Sequence, residues 1–346
     1  MKTWITALAL VLTAGLAAPA AAQTLINGAG ATFPYPIYSK WFDAYTNVDP
    51  EVRFNYQSIG SGGGIKQVTS RTVDFGASDG PMSDEQLKAA PSALIHIPTV
   101  LGAVVATYNL PGTPRLQFTA DVLADIFLGK ITKWNDARLT ATNPGVTLPN
   151  ESIAVVHRSD GSGTTYIWVD YLSKVSPEWQ QKVGKGTSVN WPVGLGGKGN
   201  EGVAGQVKNT PGALGYVELA YAVKNKLPVG LVKNAAGKFI EPTIESTTAA
   251  AGAAKSMPED FRVSLTNAPG DAAYPIASFT WLLVYKEQPD QLKGRAIANF
   301  LWWMSHEGQK YAADLLYAPL PAPVVKQIEA KIKQINYQGK PLLAAR

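Results

Sequence analysis

The sequence predicts an α/β fold in which helices cover a sheet of mostly parallel strands. Segments with strand-like and helix-like patterns alternate along the chain, and turns rich in glycine and proline separate them. The chain has 346 residues, which is more than one ordinary domain needs and indicates two. In folds of this class, ligands collect where strands end and helices begin.

Strand-like patterns mark three segments, taken here in chain order. Val52–Gln57 alternates between apolar and polar residues, which is the period-two pattern of a half-buried strand. Ala103–Asn109 is a compact run rich in β-forming residues, and Ile153–Val156 is a short apolar run. We therefore predict strands at these three places.

Helical periodicity, with apolar residues three or four positions apart, marks five further segments. The predicted helices are Pro36–Thr46, Thr119–Leu128, Thr164–Lys174, Pro289–Leu316 and Ala322–Ile335. No internal repeat and no low-complexity linker interrupts this pattern. The lack of a linker does not exclude two domains, because a chain can cross between domains more than once.

The first 22 residues have the three parts of a secretory signal peptide. Lys2 provides a basic start, Trp4–Leu12 a short apolar core, and Ala20–Ala22 the small residues of a cleavage site. The alternative, a buried N-terminal helix, gives no packing reason for that ending. We therefore predict cleavage after Ala22 and export of the remaining 324 residues to the periplasm as a soluble protein.

The composition excludes several kinds of site. The sequence contains no cysteine, which excludes a disulfide, a thiol nucleophile, a Cys-based zinc site and a lipid anchor on cysteine. The formal net charge is +5, but lysines and arginines are spread along the chain, so nucleic-acid binding is not expected. We find no H-E-x-x-H motif and no dense cluster of ligand residues, and we expect neither a metal nor a cofactor.

Two glycine-rich segments precede predicted helices and offer hydroxyl groups to a ligand. In Gly28–Pro36, small residues let the backbone approach a ligand, and Thr32 is either a donor or a plain N-cap. In Gly60–Gln67, glycines next to Ser61 are typical of an anion cradle at a helix start, or of a flexible turn. The second segment fits neither the Rossmann nor the Walker pattern, so nucleotide binding is unsupported.

In the segment Val73–Ser83, an apolar run ends in Ser78, Asp79, Gly80 and Pro81. By its chemistry alone, an aspartate in this setting is more often a turn residue than a ligand group. The residues around Asp79 therefore leave its role open.

The strongest candidate for an anion site is the strand, tight turn and helix start that follow Arg158. Ser162 and Thr164 supply hydroxyls, and Gly163 supplies a bare N–H at the positive end of a helix. Arg158 supplies a planar fork of donors that suits an oxyanion, and Asp160 could hold that fork in place. A plain capped turn would need neither the arginine nor two hydroxyls around a glycine.

A serine hydrolase is the alternative from another functional class. Its G-x-S-x-G turn needs glycines two residues before and after the serine, but Asp160 and Thr164 hold these places around Ser162. His157 is near Ser162 in sequence, yet strand-to-turn geometry need not bring the two side chains within hydrogen-bonding reach. We therefore predict a binding protein rather than an enzyme, with a phosphatase or hydrolase using Ser162 or Thr164 as the alternative.

Taken together, these segments resemble the periplasmic phosphate-binding proteins that supply phosphate-specific ABC transporters. The resemblance covers nearly the whole mature chain and rests on six motifs in order. They are GAGATFP (Gly28–Pro34), QSIGSGGG (Gln57–Gly64), VDFGASD (Val73–Asp79), DGSGT (Asp160–Thr164), WPVGLGGKGNEGVA (Trp191–Ala204) and PGALGYVE (Pro211–Glu218). It implies capture of inorganic phosphate and its delivery to membrane permease subunits, by a protein expected to be a monomer.

The family has the two-domain, type II periplasmic binding protein fold. Two α/β domains are joined by a hinge of two crossing strands, and the ligand cleft lies between the domains. Carried over to this chain, the resemblance places residues 23–98 and 277–346 in the first domain and residues 99–276 in the second. The crossings are then expected near Pro98–Gly102 and Tyr274–Thr280.

The resemblance also implies a set of ligand contacts, matched motif by motif. The expected donors are Thr32, Phe33 through its backbone N–H, Ser61, Arg158 braced by Asp160, Ser162, Gly163 and Thr164. Asp79 matches the family's one acceptor. Gly62, His157 and Ser159 depart from residues that are common in the family, but none of these departures removes a donor.

A hydrogen-bond acceptor in the cleft would favour a protonated oxyanion over an unprotonated one. Phosphate keeps at least one proton near neutral pH, which the Asp79 carboxylate could accept. Sulfate has no proton, and its contact with a buried carboxylate would cost several kcal/mol. A binding protein for another tetrahedral oxyanion is the close alternative, and arsenate in particular is protonated like phosphate.

Overall fold

The computed structural model describes residues 23–110, 112, 114–253 and 257–343, so the predicted signal peptide, residues 1–22, lies outside the described residues. The described part of the chain forms one eight-stranded sheet and two small sheets. The strands are β1 Thr24–Gly30, β2 Val52–Ser58, β3 Phe75–Ser78, β4 Leu94–Tyr108, β5 Gln117–Phe118, β6 Ala154–Arg158, β7 Leu195–Gly197, β8 Ala213–Glu218, β9 Leu231–Lys233, β10 Phe239–Ile240, β11 Ala277–Tyr285, β12 Asn336–Tyr337 and β13 Lys340–Pro341.

Helices cover the strands and connect them. The α-helices are α1 Tyr35–Tyr45, α2 Ser61–Thr69, α3 Asp84–Ala89, α4 Ala120–Phe127, α5 Ala137–Thr142, α6 Gly163–Val175, α7 Pro177–Lys182, α8 Gly199–Asn209, α9 Leu219–Lys224, α10 Ile244–Gly252, α11 Gln291–Ser305 and α12 Ala322–Ile332. Two short 3₁₀ helices follow α11, at Glu307–Tyr311 and Ala313–Leu315. Within the described ranges, no helix is both long and apolar enough to span a membrane.

The large sheet combines parallel ends with an antiparallel centre, in the strand order β2-β1-β3-β11-β4-β8-β6-β7. β1 pairs in parallel with β2 and β3, and β6 pairs in parallel with β7 and β8. The pairs β3–β11, β11–β4 and β4–β8 are antiparallel. The predicted α/β fold is therefore confirmed, but parallel pairing is wrong for the centre, where the long strands β4 and β11 run in opposite directions.

β4 connects the two parallel sets of strands. Leu94–Ala103 pairs with β11, whereas Val104–Tyr108 pairs with β8. The predicted strand Ala103–Asn109 covers only the second part of β4. Its first part contains Pro98, which cannot donate a ladder hydrogen bond and therefore argues against a central strand in the sequence.

A β-bulge lets β4 accommodate this proline. The register with β11 shifts between Thr280, which faces Val100, and Trp281, which faces Pro98. Thr99 is the extra residue, and its hydroxyl donates to the carbonyl oxygen of Thr280 over 3.2 Å. Bulges commonly re-aim a neighbouring side chain, and here the Thr280 side chain points to Asp79.

Four predicted helices are confirmed within three residues at each end, as α1, α4, α6 and α12. The fifth, Pro289–Leu316, is wrong in length, because the α-helix ends at Ser305. Trp41 Nε1 donates to the carbonyl oxygen of Gly308 over 2.7 Å, and a Cβ on Gly308 would lie 3.3 Å from the Trp303 ring. This close packing turns the chain away from the helix axis, although apolar residues keep their helical spacing.

The hydrophobic core extends across the whole sheet. One cluster of buried side chains includes Trp41 and Phe300 from α1 and α11, Val104 from β4, and Trp168 and Val203 from α6 and α8. The core therefore supports the β1–β3 side and the β6–β8 side of the sheet alike. The expected crossing segments lie between these two sides, on β4 and at the start of β11, and the division into residues 23–98 with 277–346, and 99–276, remains a prediction.

Candidate functional site

The residues expected to hold a ligand meet between the β1–β3 side and the β6–β8 side of the sheet. They lie at or just after the ends of β1, β2, β3 and β6, and several of them stand at or just before the starts of α1, α2 and α6. Apart from Gly163, these residues are Thr32, Phe33, Ser61, Asp79, Arg158, Ser162 and Thr164, and each is at most 4% exposed. Polar side chains buried to this degree need partners, and the contacts below identify them.

Two loops close against each other at this cleft. The backbone N–H of Gly62, in α2, donates to the carbonyl oxygen of Gly161 over 2.9 Å. Gly60 has φ +88°, and a Cβ there would lie 2.4 Å from Asp160 Oδ2 and 2.5 Å from the Gly161 carbonyl oxygen. Glycine at position 60 therefore serves both a left-handed backbone and a close approach of the two sides.

Arg158, the last residue of β6, is held by two hydrogen bonds to Asp160. Its Nε lies 2.7 Å from Oδ1 and its Nη2 lies 2.5 Å from Oδ2 of that carboxylate. Burial alone would raise the pKa of Asp160, but the hydrogen bonds and charge of Arg158 outweigh it, and the pKa lies below its usual value. The structure thus gives Asp160 the bracing geometry expected from the sequence.

The start of α6, on the β6–β8 side, packs directly against residues of the β1–β3 side across the cleft. Ser162 is its N-cap, and the Ser162 hydroxyl oxygen accepts from the N–H of Thr165 over 2.9 Å. A Cβ on Gly163 would lie 2.4 Å from Ser61 Oγ and 2.5 Å from Asp79 Oδ2. Only glycine lets the positive end of this helix approach both side chains so closely.

Asp79 carries an unpaired acceptor atom in the middle of these donors. Its Oδ1 accepts from the Thr280 hydroxyl over 2.7 Å, and its backbone N–H donates to Ser61 Oγ over 3.1 Å. Its Oδ2 is buried and has no hydrogen-bond partner among the described residues. Burial raises the pKa of Asp79 to about 7, while the Thr280 hydrogen bond and the Arg158 charge act in the opposite direction.

Two tyrosine hydroxyls donate hydrogen bonds to carbonyl groups of the loop between β1 and α1. Tyr221 donates to the carbonyl oxygen of Thr32 and Tyr317 to that of Phe33, each over 2.6 Å. A Cβ on Gly102 would lie 2.5 Å from the Phe33 ring, so the buried ring fits because β4 has a glycine there. The loop therefore keeps its carbonyl oxygens engaged with the protein and is fixed in position.

Several residues of this cleft were not found by sequence reasoning. Asn200, in the first turn of α8, is fully buried, and its Nδ2 lies 2.7 Å from Thr32 Oγ1 and 3.0 Å from Thr164 Oγ1. Thr280, Tyr221 and Tyr317 come from distant parts of the chain. The only sequence signal for Asn200 is its place in the Trp191–Ala204 motif, where an asparagine after glycine also fits an ordinary helix start.

A second buried carboxyl group lies behind the site. Glu218 Oε2 accepts from the N–H of Ala220 over 2.9 Å and lies 3.3 Å from the Tyr317 hydroxyl. Burial raises the pKa of Glu218 well above its usual value. Its Oε1, like Asp79 Oδ2, is buried without a hydrogen-bond partner among the described residues. The cleft itself brings together the Arg158–Asp160 pair, hydroxyl and amide donors, and the unpaired acceptor Oδ2 of Asp79. Such a set suits an oxyanion that carries a proton.

Comparison with known proteins gives the same family that the motifs indicate. A family model described as "PBP superfamily domain" matches residues 17–307. A protein of Xylella fastidiosa (strain 9a5c), named phosphate-binding protein PstS, is 50% identical over 320 residues, covering 90% of this chain and 86% of the relative. The phosphate-binding protein PstS of Pasteurella multocida is 48% identical over 317 residues, covering 90% of each chain.

A solved structure agrees with this fold. A phosphate-binding protein from Stenotrophomonas maltophilia has a TM-score of 0.66, with 19% identity, over 89% of this chain and 93% of that chain. At this identity the likeness concerns the fold, and it confirms the expected type II periplasmic binding protein architecture. The sequence matches are much closer and cover most of both partners. The chain belongs to the PBP superfamily and, within it, to the PstS family of phosphate-binding proteins.

Proposed function

We propose that this protein captures inorganic phosphate in the cleft and delivers it to the permease of an ABC transporter for import. One observation carries the ligand assignment: Asp79 Oδ2 is a buried acceptor without a partner among the described residues, surrounded by donors. The proposed contacts are Thr32, Phe33, Ser61, Asp79, Arg158, Ser162, Gly163 and Thr164, with Asp160 bracing Arg158. The names of the PstS relatives support the same ligand.

The donors would stabilise the negative charge of phosphate, and Asp79 would accept a hydrogen bond from its proton. The guanidinium of Arg158 supplies a cation that faces the hydroxyls, and the N-terminus of α6 adds the positive end of a helix dipole. A buried carboxylate oxygen without a partner is costly, and a phosphate O–H would satisfy it. No covalent step is needed for this role.

We propose that the cleft closes by a movement of two domains, residues 23–98 with 277–346 and residues 99–276. Contacts such as Gly62 to Gly161 and Tyr221 to Thr32 join the β1–β3 side to the β6–β8 side directly. Such contacts would form only when the cleft is closed. Phosphate, held by residues of both domains, would favour that state because it binds the closed state better than the open one.

The first test is a titration of the mature chain with phosphate. Trp191 stacks on His157 with ring centroids 4.7 Å apart, next to Arg158, so we expect its fluorescence to report binding. The expected result is a saturable signal with one phosphate per chain, no such signal with the same concentrations of sulfate at pH 9, and a smaller radius of gyration in small-angle X-ray scattering. A protein that binds neither anion would contradict the proposed function.

The same preparation distinguishes binding from catalysis. In the structure, His157 lies against Trp191, and the Ser162 hydroxyl accepts from Thr165, so Ser162 lacks the histidine base that a serine nucleophile requires. We therefore propose that the protein is not an enzyme. Steady release of product from a chromogenic phosphate ester would favour a phosphatase instead.

Delivery to a permease is tested in cells. We propose that the protein acts as a soluble monomer in the periplasm and interacts with the membrane subunits of a phosphate transporter. The expected result is that the 346-residue chain restores growth on low phosphate to a bacterium that lacks its own periplasmic phosphate-binding protein. An Arg158→Ala chain exported to the same level is the control, and equal rescue by both chains would contradict the proposal.

A further inference from the structure

We infer that Asn200 sets the direction of two threonine hydroxyls, so that both donate a hydrogen into the cleft and neither can accept one there. The inference rests on the proposed function, because it concerns how the cleft recognises an oxyanion. Asn200 is fully buried at the start of α8 and contacts Thr32 and Thr164, which come from opposite sides of the cleft. Asn200 is thus a positioning residue that acts through these two hydroxyls.

The orientation of the Asn200 amide is fixed by its own oxygen. The backbone N–H of Glu218 donates to Asn200 Oδ1 over 2.8 Å. An amide nitrogen in that place would set two donors against each other, so the oxygen must face Glu218. The Nδ2 group, with its two hydrogens, therefore faces the threonines.

Thr32 has both of its acceptor positions filled. Its Oγ1 accepts from Asn200 Nδ2 over 2.7 Å and from the backbone N–H of Asn200 over 3.2 Å. A hydroxyl has two acceptor lone pairs and one hydrogen. That hydrogen has no acceptor among the residues described by the structure, and a ligand oxygen can take it.

Thr164 also has both of its acceptor positions filled, but its second donor comes from another residue. Its Oγ1 accepts from Asn200 Nδ2 over 3.0 Å and from Arg158 Nη1 over 3.4 Å. The hydrogen of Thr164 is therefore also directed away from the protein donors. Because one amide group supplies a hydrogen to each threonine, Asn200 makes both hydroxyls donors in a single arrangement.

This arrangement affects ligand choice as well as affinity. A free hydroxyl can rotate to accept a proton from a ligand or to donate its own, whereas these two can only donate. With both threonines restricted to donation, Asp79 Oδ2, which is unpaired within the described residues, is the acceptor best placed to take a ligand proton. Without Asn200, the threonines regain rotational freedom and each phosphate contact must compete with other hydroxyl orientations.

The test is a double-mutant cycle measured by phosphate titration calorimetry. Asn200→Ala is expected to weaken phosphate binding roughly 10- to 100-fold, because hydrogen bonds to a charged ligand lose their fixed donors. In a protein that already carries Thr32→Val and Thr164→Val, the same change should cost no more than about threefold, because the hydroxyls through which Asn200 acts are gone. Equal costs in both backgrounds would overturn the inference.

Two controls separate positioning from general stability. Asn143 is also a buried asparagine with three side-chain hydrogen bonds, but these go to Gln117 and Leu139. Asn143→Ala should lower the melting temperature and leave phosphate affinity within about twofold, because no ligand contact depends on it. If Asn200→Ala does not fold, the cycle is run with Asn200→Ser, which keeps one donor, and the same non-additivity is required.

The cycle also separates this inference from the proposed function. A wild-type protein that binds phosphate while the cycle is additive contradicts only the role of Asn200. A wild-type protein that does not bind phosphate contradicts the proposed function itself.

Discussion

Replacement of Arg158 by alanine is expected to weaken phosphate binding by a factor of roughly 10² to 10⁴, because removal of one partner of a buried charge pair costs ~3–5 kcal/mol. Arg158 is 4% exposed, and Asp160 holds it through Nε and Nη2. The mutant cleft would have to enclose the anion without its cation and would leave Asp160 without its main partner. Titration calorimetry with phosphate measures the loss directly.

Two further variants test whether the shape of the guanidinium matters in addition to its charge. Arg158→Lys retains the positive charge but cannot make the forked contact with Asp160, so we expect an affinity between those of the wild type and Arg158→Ala. Arg138→Ala is the control, since Arg138 pairs with Asp125 on the surface over 2.5 Å and is 45% exposed. Wild-type affinity in Arg158→Ala would remove Arg158 from the site.

The fold could be predicted from sequence where local pattern and tertiary structure agree. The predicted strand Val52–Gln57 corresponds to β2. This strand lies at the edge of the sheet, where one face is apolar and the other polar, and alternation with a period of two residues detects that arrangement. The first part of β4 could not be predicted in this way. It is a central strand with Pro98 inside it, and only the bulge at Thr99, formed against β11, makes that proline acceptable.

The predicted length of the helix after Pro289 was wrong for a related reason. Apolar spacing continues beyond Ser305, but the packing of Gly308 on Trp41 and Trp303 stops the α-helix. Trp41 is 267 residues away in sequence from Gly308. No local pattern contains such a contact, so periodicity overestimates the helix.

The candidate site was predictable as far as its chemistry is local. Arg158 and Asp160, two residues apart, form the bidentate pair that their spacing suggested. Asn200 and Thr280 differ, because each acts on a residue more than 160 positions away. Asp79 shows the limit most clearly: its own surroundings indicate a turn, and its acceptor role depends on burial and on Thr280 from β11.

Asp79→Asn is expected to admit sulfate while leaving phosphate binding measurable. The Thr280 hydroxyl, 2.7 Å from Oδ1, favours an oxygen at that position in the asparagine as well, so Nδ2 takes the place of the unpaired Oδ2. An amide N–H there donates to a sulfate oxygen that the carboxylate repels. At pH 9, where only about 1% of the wild-type carboxyl groups are protonated and able to donate to sulfate, relief of this like-charge contact should raise sulfate affinity by a factor of roughly 10².

The wild-type protein should show the same change when the pH is lowered. Burial raises the pKa of Asp79 to about 7, so the carboxyl group becomes protonated below that pH and can donate to sulfate. Above it, sulfate affinity should fall about tenfold per pH unit, because only the protonated fraction can bind. Sulfate is fully ionised throughout this range, so the change reports on the protein rather than on the ligand.

Measuring the pH dependence of sulfate affinity in Asp79→Asn connects these two predictions. Sulfate affinity in Asp79→Asn should be nearly independent of pH between 5 and 9, because the titrating group has been removed. Asp74→Asn, which removes a carboxylate paired with Lys293 outside the cleft, should retain the wild-type selectivity and its pH dependence. A wild-type protein that rejects sulfate equally at pH 5 and pH 9, or an Asp79→Asn protein with unchanged selectivity, would contradict the role of Asp79, since its proton would then have no effect on ligand choice.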